Sequence, residues 1–145
     1  MPKWIEEGFN EYARRMPPDF KLELIELPAL KRGNASDVTR AVRQEGEQML
    51  AAIPPSSFVI ALDVKGQQWD TPQLASHLQQ WREQGQSISL LIGGPEGLTQ
   101  SCLDRANKKW SLSLLTFPHP LVRVIVAEQL YRAWSILSHH PYHRN

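Results

Sequence analysis

Two stretches of this 145-residue chain concentrate groups that could do chemistry. One is the run His139-His140-Pro141-Tyr142-His143-Arg144, which gathers imidazoles, a phenol and a guanidinium near the carboxyl end. Arginine grips phosphate through a fixed fork of donors, and tyrosine or histidine stacks on a nucleobase. Recognition of an anion or a base is therefore one reading of the tail. A disordered surface end is a second. Metal ligation is a third, weakened because the usual spaced ligands are missing. The other stretch is Ile92-Gly93-Gly94-Pro95-Glu96-Gly97. Glycines at a strand end let a ligand approach the backbone and expose amides as donors. No Gly-Lys-Ser/Thr follows and the spacing is not GxGxxG, so neither nucleotide fingerprint is present. A tight strand-to-helix turn would account for the same residues.

The elements around these stretches alternate. Ile5, Phe9, Tyr12 and Met16 share one face of a helix expected over Met1–Met16, stopped by Pro17-Pro18. Phe20–Leu27 alternates as a strand does. Ser36 is the expected cap of a helix running to about Ala52. Phe58–Leu62 and Ile88–Ile92 are short apolar runs of the kind buried in parallel sheets. Thr71-Pro72 opens a helix bearing Leu74, Leu78 and Trp81 on one face. Thr99 caps a short helix to about Asn107, Leu112–Leu115 is a last strand, and His119-Pro120 opens a long helix to about Ser138. The pattern predicts an α/β class with a mainly parallel sheet, organised as one domain over 1–145. Ligands gather at the carboxyl ends of parallel strands. Three such ends stand out: Leu62-Asp63 followed by Gly66, Ile92–Gly97, and Leu115-Thr116-Phe117-Pro118-His119-Pro120.

Composition narrows the class. Sixteen Lys and Arg against 15 Asp and Glu leave a formal charge of +1, so bulk charge does not announce nucleic acid, although a local stripe still binds it. Cys102 is the sole cysteine, which rules out an internal disulfide, fits a reducing compartment and reads as a small buried residue. The start carries Lys3, Glu6 and Glu7 and does not resemble a signal peptide. Arg123, Glu128 and Arg132 make Leu121–Leu137 too polar to span a bilayer. A soluble cytoplasmic protein is expected, with no membrane partner.

The segments LLIGGPEGL (Leu90–Leu98), WSLSLLTFPHPLVRVIVAEQLYRAW (Trp110–Trp134) and HPYHR (His140–Arg144) together resemble the RlmH family. These are 23S rRNA pseudouridine-N3-methyltransferases of the SPOUT, or α/β-knot, superfamily. The resemblance runs over essentially the whole chain, including EGFNEYARR near the start and the Lys31-Arg32-Gly33 loop. It implies a C-terminal trefoil knot, where periodicity alone suggests an unknotted doubly wound sheet. It further implies S-adenosyl-L-methionine (SAM) as cofactor, held mostly through backbone by Leu62, Gly93, Gly94, Ser113, Leu114, Leu115, Thr116, Phe117 and Pro118. The partners implied are 23S rRNA in the ribosome and a second copy of the chain, with the final helix at the dimer interface. Leu121, Val122, Val124, Ile125 and Val126 suit such burial, or burial in the core of one subunit.

The catalytic candidates implied are His119, Arg132, Tyr142, His143 and Arg144, with no metal. Arg132 and Arg144 are expected to contact phosphate or a carbonyl anion, and Tyr142 to stack on or orient the base. His143, His119 or water accepts the N3 proton. Lys31, Arg32 and Arg40 are candidate RNA contacts or an ordinary charged face. The family usually begins with a short apolar strand, whereas Met1-Pro2-Lys3-Trp4 already enters a helix, so a native start upstream is expected. A non-catalytic RNA- or ribosome-binding module is the alternative function.

Overall fold

A computed structural model describes residues 2–28, 30–31 and 33–144, except for the side chain of Arg144. The chain divides into two compact units.

The first unit comprises Met1–Leu24, Trp69–Gly85 and Phe117–Asn145 and is helical. Its helices are α1 (Lys3–Ala13), α3 (Thr71–Gln84) and α5 (His119–Leu137). Helix α5 packs against both α1 and α3. Ile5 and Phe9 of α1, Leu74, Leu78 and Trp81 of α3, and Val126, Ala127, Leu130 and Tyr131 of α5 are buried. The one-face spacing expected for the first helix and for Leu74, Leu78 and Trp81 therefore reports the inner faces of α1 and α3. Thr71 Oγ1 and Gln129 Oε1 meet at 3.0 Å across the α3–α5 contact. A 3-10 turn at Pro141–Arg144 packs back on α5.

The second unit comprises Ile25–Gln68 and Gln86–Thr116. It holds α2 (Ala35–Ala52), β1 (Phe58–Gln68), β2 (Ile88–Leu91), α4 (Gln100–Arg105) and β3 (Lys108–Ser111). The sheet order is β2-β1-β3, and both pairings are parallel. An α/β architecture with a parallel sheet is thus present. Val59, Leu91 and Cys102 form its core with Met49, Leu50, Ile53, Leu98 and Ala106 around them. Cys102 is fully buried, as its lone apolar setting predicts. Asn107 satisfies both backbone groups of Val59: its backbone amide donates to the Val59 carbonyl at 2.7 Å and its Oδ1 accepts from the Val59 amide at 2.8 Å.

Four local expectations need correction. Phe20–Leu27 is no strand: Pro18–Phe20 is a 3-10 turn and no ladder follows. Lys21–Leu24 keeps its alternation of exposed and half-buried side chains, but a strand also needs a partner edge, and neither β2 nor β3 pairs with it. The last strand is Lys108–Ser111 rather than Leu112–Leu115. There the Ser113 hydroxyl accepts the Leu115 amide at 3.0 Å, a local bond that competes with the ladder. Asn34 caps α2 in place of Ser36, and Asp70 caps α3 in place of Thr71. Each true cap has a reciprocating residue three positions on, Asp37 and Gln73, which Ser36 and Thr71 lack.

Candidate functional site

The cofactor residues expected in the second unit lie along one edge of the sheet. Pairing of Ala61 with Leu91 and of Leu62 with Trp110 aligns the three strands so that their carboxyl ends share that edge. The β1–β3 ladder breaks after Leu62 and resumes at Gln67, so the first ladder ends where the strand end was expected even though β1 itself is longer. The chain leaves β2 into a turn closed by the Gly97 amide donating to the Gly94 carbonyl at 3.0 Å. Gly97 has φ 80°, a left-handed value. A Cβ on Gly93 would stand 2.6 Å from the Gly97 carbonyl carbon. The turn needs these two glycines for conformation and for close approach, which is the reading the sequence left open beside ligand binding.

Beyond β3, Ser111 Oγ donates to the Ser113 carbonyl at 3.0 Å and Ser113 receives Leu115. This small turn leaves Leu114 77% and Leu115 70% exposed, unusual for leucines at a sheet edge. Thr116 is exposed as well. Phe117 and Pro118 belong to the helical unit, where Pro118 stands immediately before α5.

Three of the five catalytic candidates come together at the far end of α5. Arg132 donates to Glu128 Oε2 from Nε at 3.0 Å and from the guanidinium terminus at 2.8 Å. The Tyr142 hydroxyl donates to the same carboxylate oxygen at 2.8 Å. The Arg132 guanidinium lies 5.0 Å from the Tyr142 ring centre. Tyr131 packs 4.7 Å from that ring, and Tyr12 of α1 stands 6.5 Å away. Arg15 reaches over the Tyr12 and Tyr131 rings while pairing with Glu11. Burial, and then the hydrogen bond to Glu128, hold the Tyr142 phenol well above the ordinary phenol range. That group is a neutral donor at physiological pH. The bond to Glu128 likewise raises the Arg132 guanidinium.

His143 is fixed by its neighbours. The Ser135 hydroxyl gives its one proton to the Arg132 carbonyl at 2.7 Å. It also lies 3.2 Å from His143 Nδ1, which ties that edge of the imidazole to α5. Arg144 closes the 3-10 turn, and its side chain lies outside the described residues. His119, by contrast, opens α5. Arg132 follows it by thirteen positions along the helix, roughly 20 Å along the axis, so one α5 does not bring the two together. Lys31 and Arg40 are exposed, and Arg32 lies outside the described residues.

Among the described residues no group of three or more His, Cys, Asp or Glu is placed to hold a metal ion, and no helix is long and apolar enough to cross a membrane. Glu128, Ser135 and Tyr12 were not among the expected site residues. Glu128 had a signal, since it stands four residues before Arg132 on a helix. Tyr12 had none, because only packing of α1 on α5 brings it near the tail.

Comparison with known proteins gives the chain a family. A family model described as "Predicted SPOUT methyltransferase" matches residues 1–143. The chain is also 56% identical over 144 residues to "Ribosomal RNA large subunit methyltransferase H" of Marinomonas sp. (strain MWYL1), covering 99% of this chain and 93% of that protein. A match over nearly the whole chain, glycine turn and Tyr142 included, identifies it as a member of the SPOUT methyltransferase family.

Proposed function

We propose that this protein transfers a methyl group from SAM to N3 of a pseudouridine in a stem-loop of 23S rRNA on the ribosome. The observation that carries the reading is the near-complete match to a relative named as a large-subunit rRNA methyltransferase. SPOUT methyltransferases use SAM, and the residues expected to hold it suit that ligand. None of Leu62, Gly93, Gly94 or Ser113–Pro118 is charged, as befits a molecule without phosphate. Exposed Leu114 and Leu115 offer apolar surface to an adenine, and the space beside Gly97 is open. We read 1–145 as one SPOUT domain whose C-terminal part is threaded as a trefoil knot, and cytoplasmic ribosomes as its place of action.

When bound, SAM supplies a methyl carbon already activated by the sulfonium. The chain's own groups do the rest. His143 Nε2 accepts the N3 proton, and the Arg144 guanidinium stabilises charge developing on the flanking carbonyls. Tyr142 orients the base as a neutral donor. The active form is a homodimer. Leu121, Ile125 and Ile136 follow the helical spacing of Glu128 and Arg132 and stay half-exposed in the single chain. The distance from His119 to the tail also favours a second copy, whose tail meets this subunit's cofactor loops.

Mass spectrometry of rRNA from a deletion strain tests the reaction: one methylated pseudouridine is lost and returns with the gene. Retention of every methylated pseudouridine in that strain rejects the proposal. Arg144→Ala is expected to cut methylation about 100-fold while calorimetry shows SAM binding within about twofold of wild type.

A further inference from the structure

We propose that Glu128 is the positioning residue of the C-terminal tail, holding Arg132 and Tyr142 in the one arrangement that presents His143 to the RNA. The inference rests on the reading that this tail contacts an rRNA substrate.

Glu128 lies one turn before Arg132 on α5. A single oxygen, Oε2, receives Arg132 twice and the Tyr142 hydroxyl once. Its other oxygen accepts the Gln129 side-chain amide at 2.7 Å. The carboxylate and the guanidinium are only 18% and 23% exposed, so this pair is neither a solvated surface contact nor freely exchanged for water. Tyr142 follows Glu128 by fourteen residues, and the bond between them ties the tail to the helix. The guanidinium over the Tyr142 ring adds a second tie through the same carboxylate. Arg132 is thereby charge-balanced within the chain. A phosphate would have to displace Glu128 to claim it, so Arg132 serves to build the tail and the phosphate contact falls to other cations.

Glu128→Gln keeps size and an acceptor but removes the charge. With purified ribosomes lacking the modification, kcat is expected to fall about 10- to 100-fold, the scale on which a misplaced catalytic group acts. SAM binding by calorimetry stays within about twofold, since the cofactor loops are not altered. Glu128→Asp, which keeps the charge on a shorter arm, recovers part of kcat. Combining Glu128→Gln with Tyr142→Phe gives less than the product of the single losses, because both cut one tie. Alkaline titration at 295 nm reads the tie without any activity: a tyrosine of Glu128→Gln ionises at lower pH than in wild type, and Tyr142→Phe abolishes that difference.

Unchanged kcat in Glu128→Gln overturns the proposal, as does a parallel loss of SAM binding. Tighter ribosome binding with intact kcat also overturns it, since Glu128 would then be a competitor for Arg132. A wild-type protein that transfers no methyl to ribosomes rejects the functional reading and the positioning role with it. In that case the titration still shows whether the Glu128–Tyr142 tie exists, so the two failures are told apart.

Discussion

At the scale of single residues, the surroundings of Tyr142 set the protonation of its phenol. Tyr142 has its phenol raised, chiefly by burial and then by Glu128. A folded-state pKa above the unfolded value near about 10 gives stability that is complete below that pH and is lost as pH rises towards the folded value. Denaturant unfolding followed above pH of about 10 should therefore show wild type losing stability more steeply than Tyr142→Phe. At neutral pH the same substitution should cost roughly 1 kcal/mol, the net worth of one hydrogen bond. A parallel decline of the two proteins at alkaline pH would mean that Tyr142 ionises without penalty. The Ser135 hydroxyl, which donates to the Arg132 carbonyl, also holds the Nδ1 edge of the His143 ring against α5.

At the scale of elements, backbone conformation does work that side-chain chemistry then uses. The tail can fold back on α5 because His139 sits at φ 59°, left-handed, with the His140 amide donating to the Ser135 carbonyl at 2.8 Å. That position usually takes glycine. Replacing His139 with glycine should hold or raise stability, by up to about 1 kcal/mol, whereas valine should lower it by about 1–2 kcal/mol. Chemical denaturation of the two variants checks the sign, and a stabilising valine would remove the strain argument. On the sheet side, Gly93→Ala places a Cβ against the Gly97 backbone. The turn must move, at a cost of about 1–3 kcal/mol in a thermal melt, with SAM affinity falling in calorimetry. Unaltered SAM affinity there would separate the turn from the cofactor.

At the scale of the whole molecule, the proposed dimer joins what one α5 keeps apart. Ile125→Asp puts a charge into the half-exposed stripe that also holds Leu121 and Ile136. Light scattering should find wild type as a dimer and this variant as a folded monomer that no longer methylates ribosomes. A dimeric Ile125→Asp protein would place the interface elsewhere.

Periodicity and composition made much of this protein legible. Helix faces such as Ile5–Phe9 and Leu74–Leu78–Trp81, the apolar runs of β1 and β2, and the chemistry of Gly93–Gly97 and His139–Arg144 depend on residues within a few turns of one another. The caps Asn34 and Asp70 are likewise legible from their partners Asp37 and Gln73, three positions on. Tertiary structure alone decided the rest. Phe20–Leu27 carries a strand's alternation and no ladder, because pairing is a property of two segments. Lys108–Ser111 became the strand in place of Leu112–Leu115 because it meets β1 in register. The tail, which composition left between a loose end and a binding device, is docked through Glu128 and Tyr142, fourteen positions apart and joined by one 2.8 Å bond. Side-chain chemistry is local to the sequence, but the partner that gives it a fixed geometry is not.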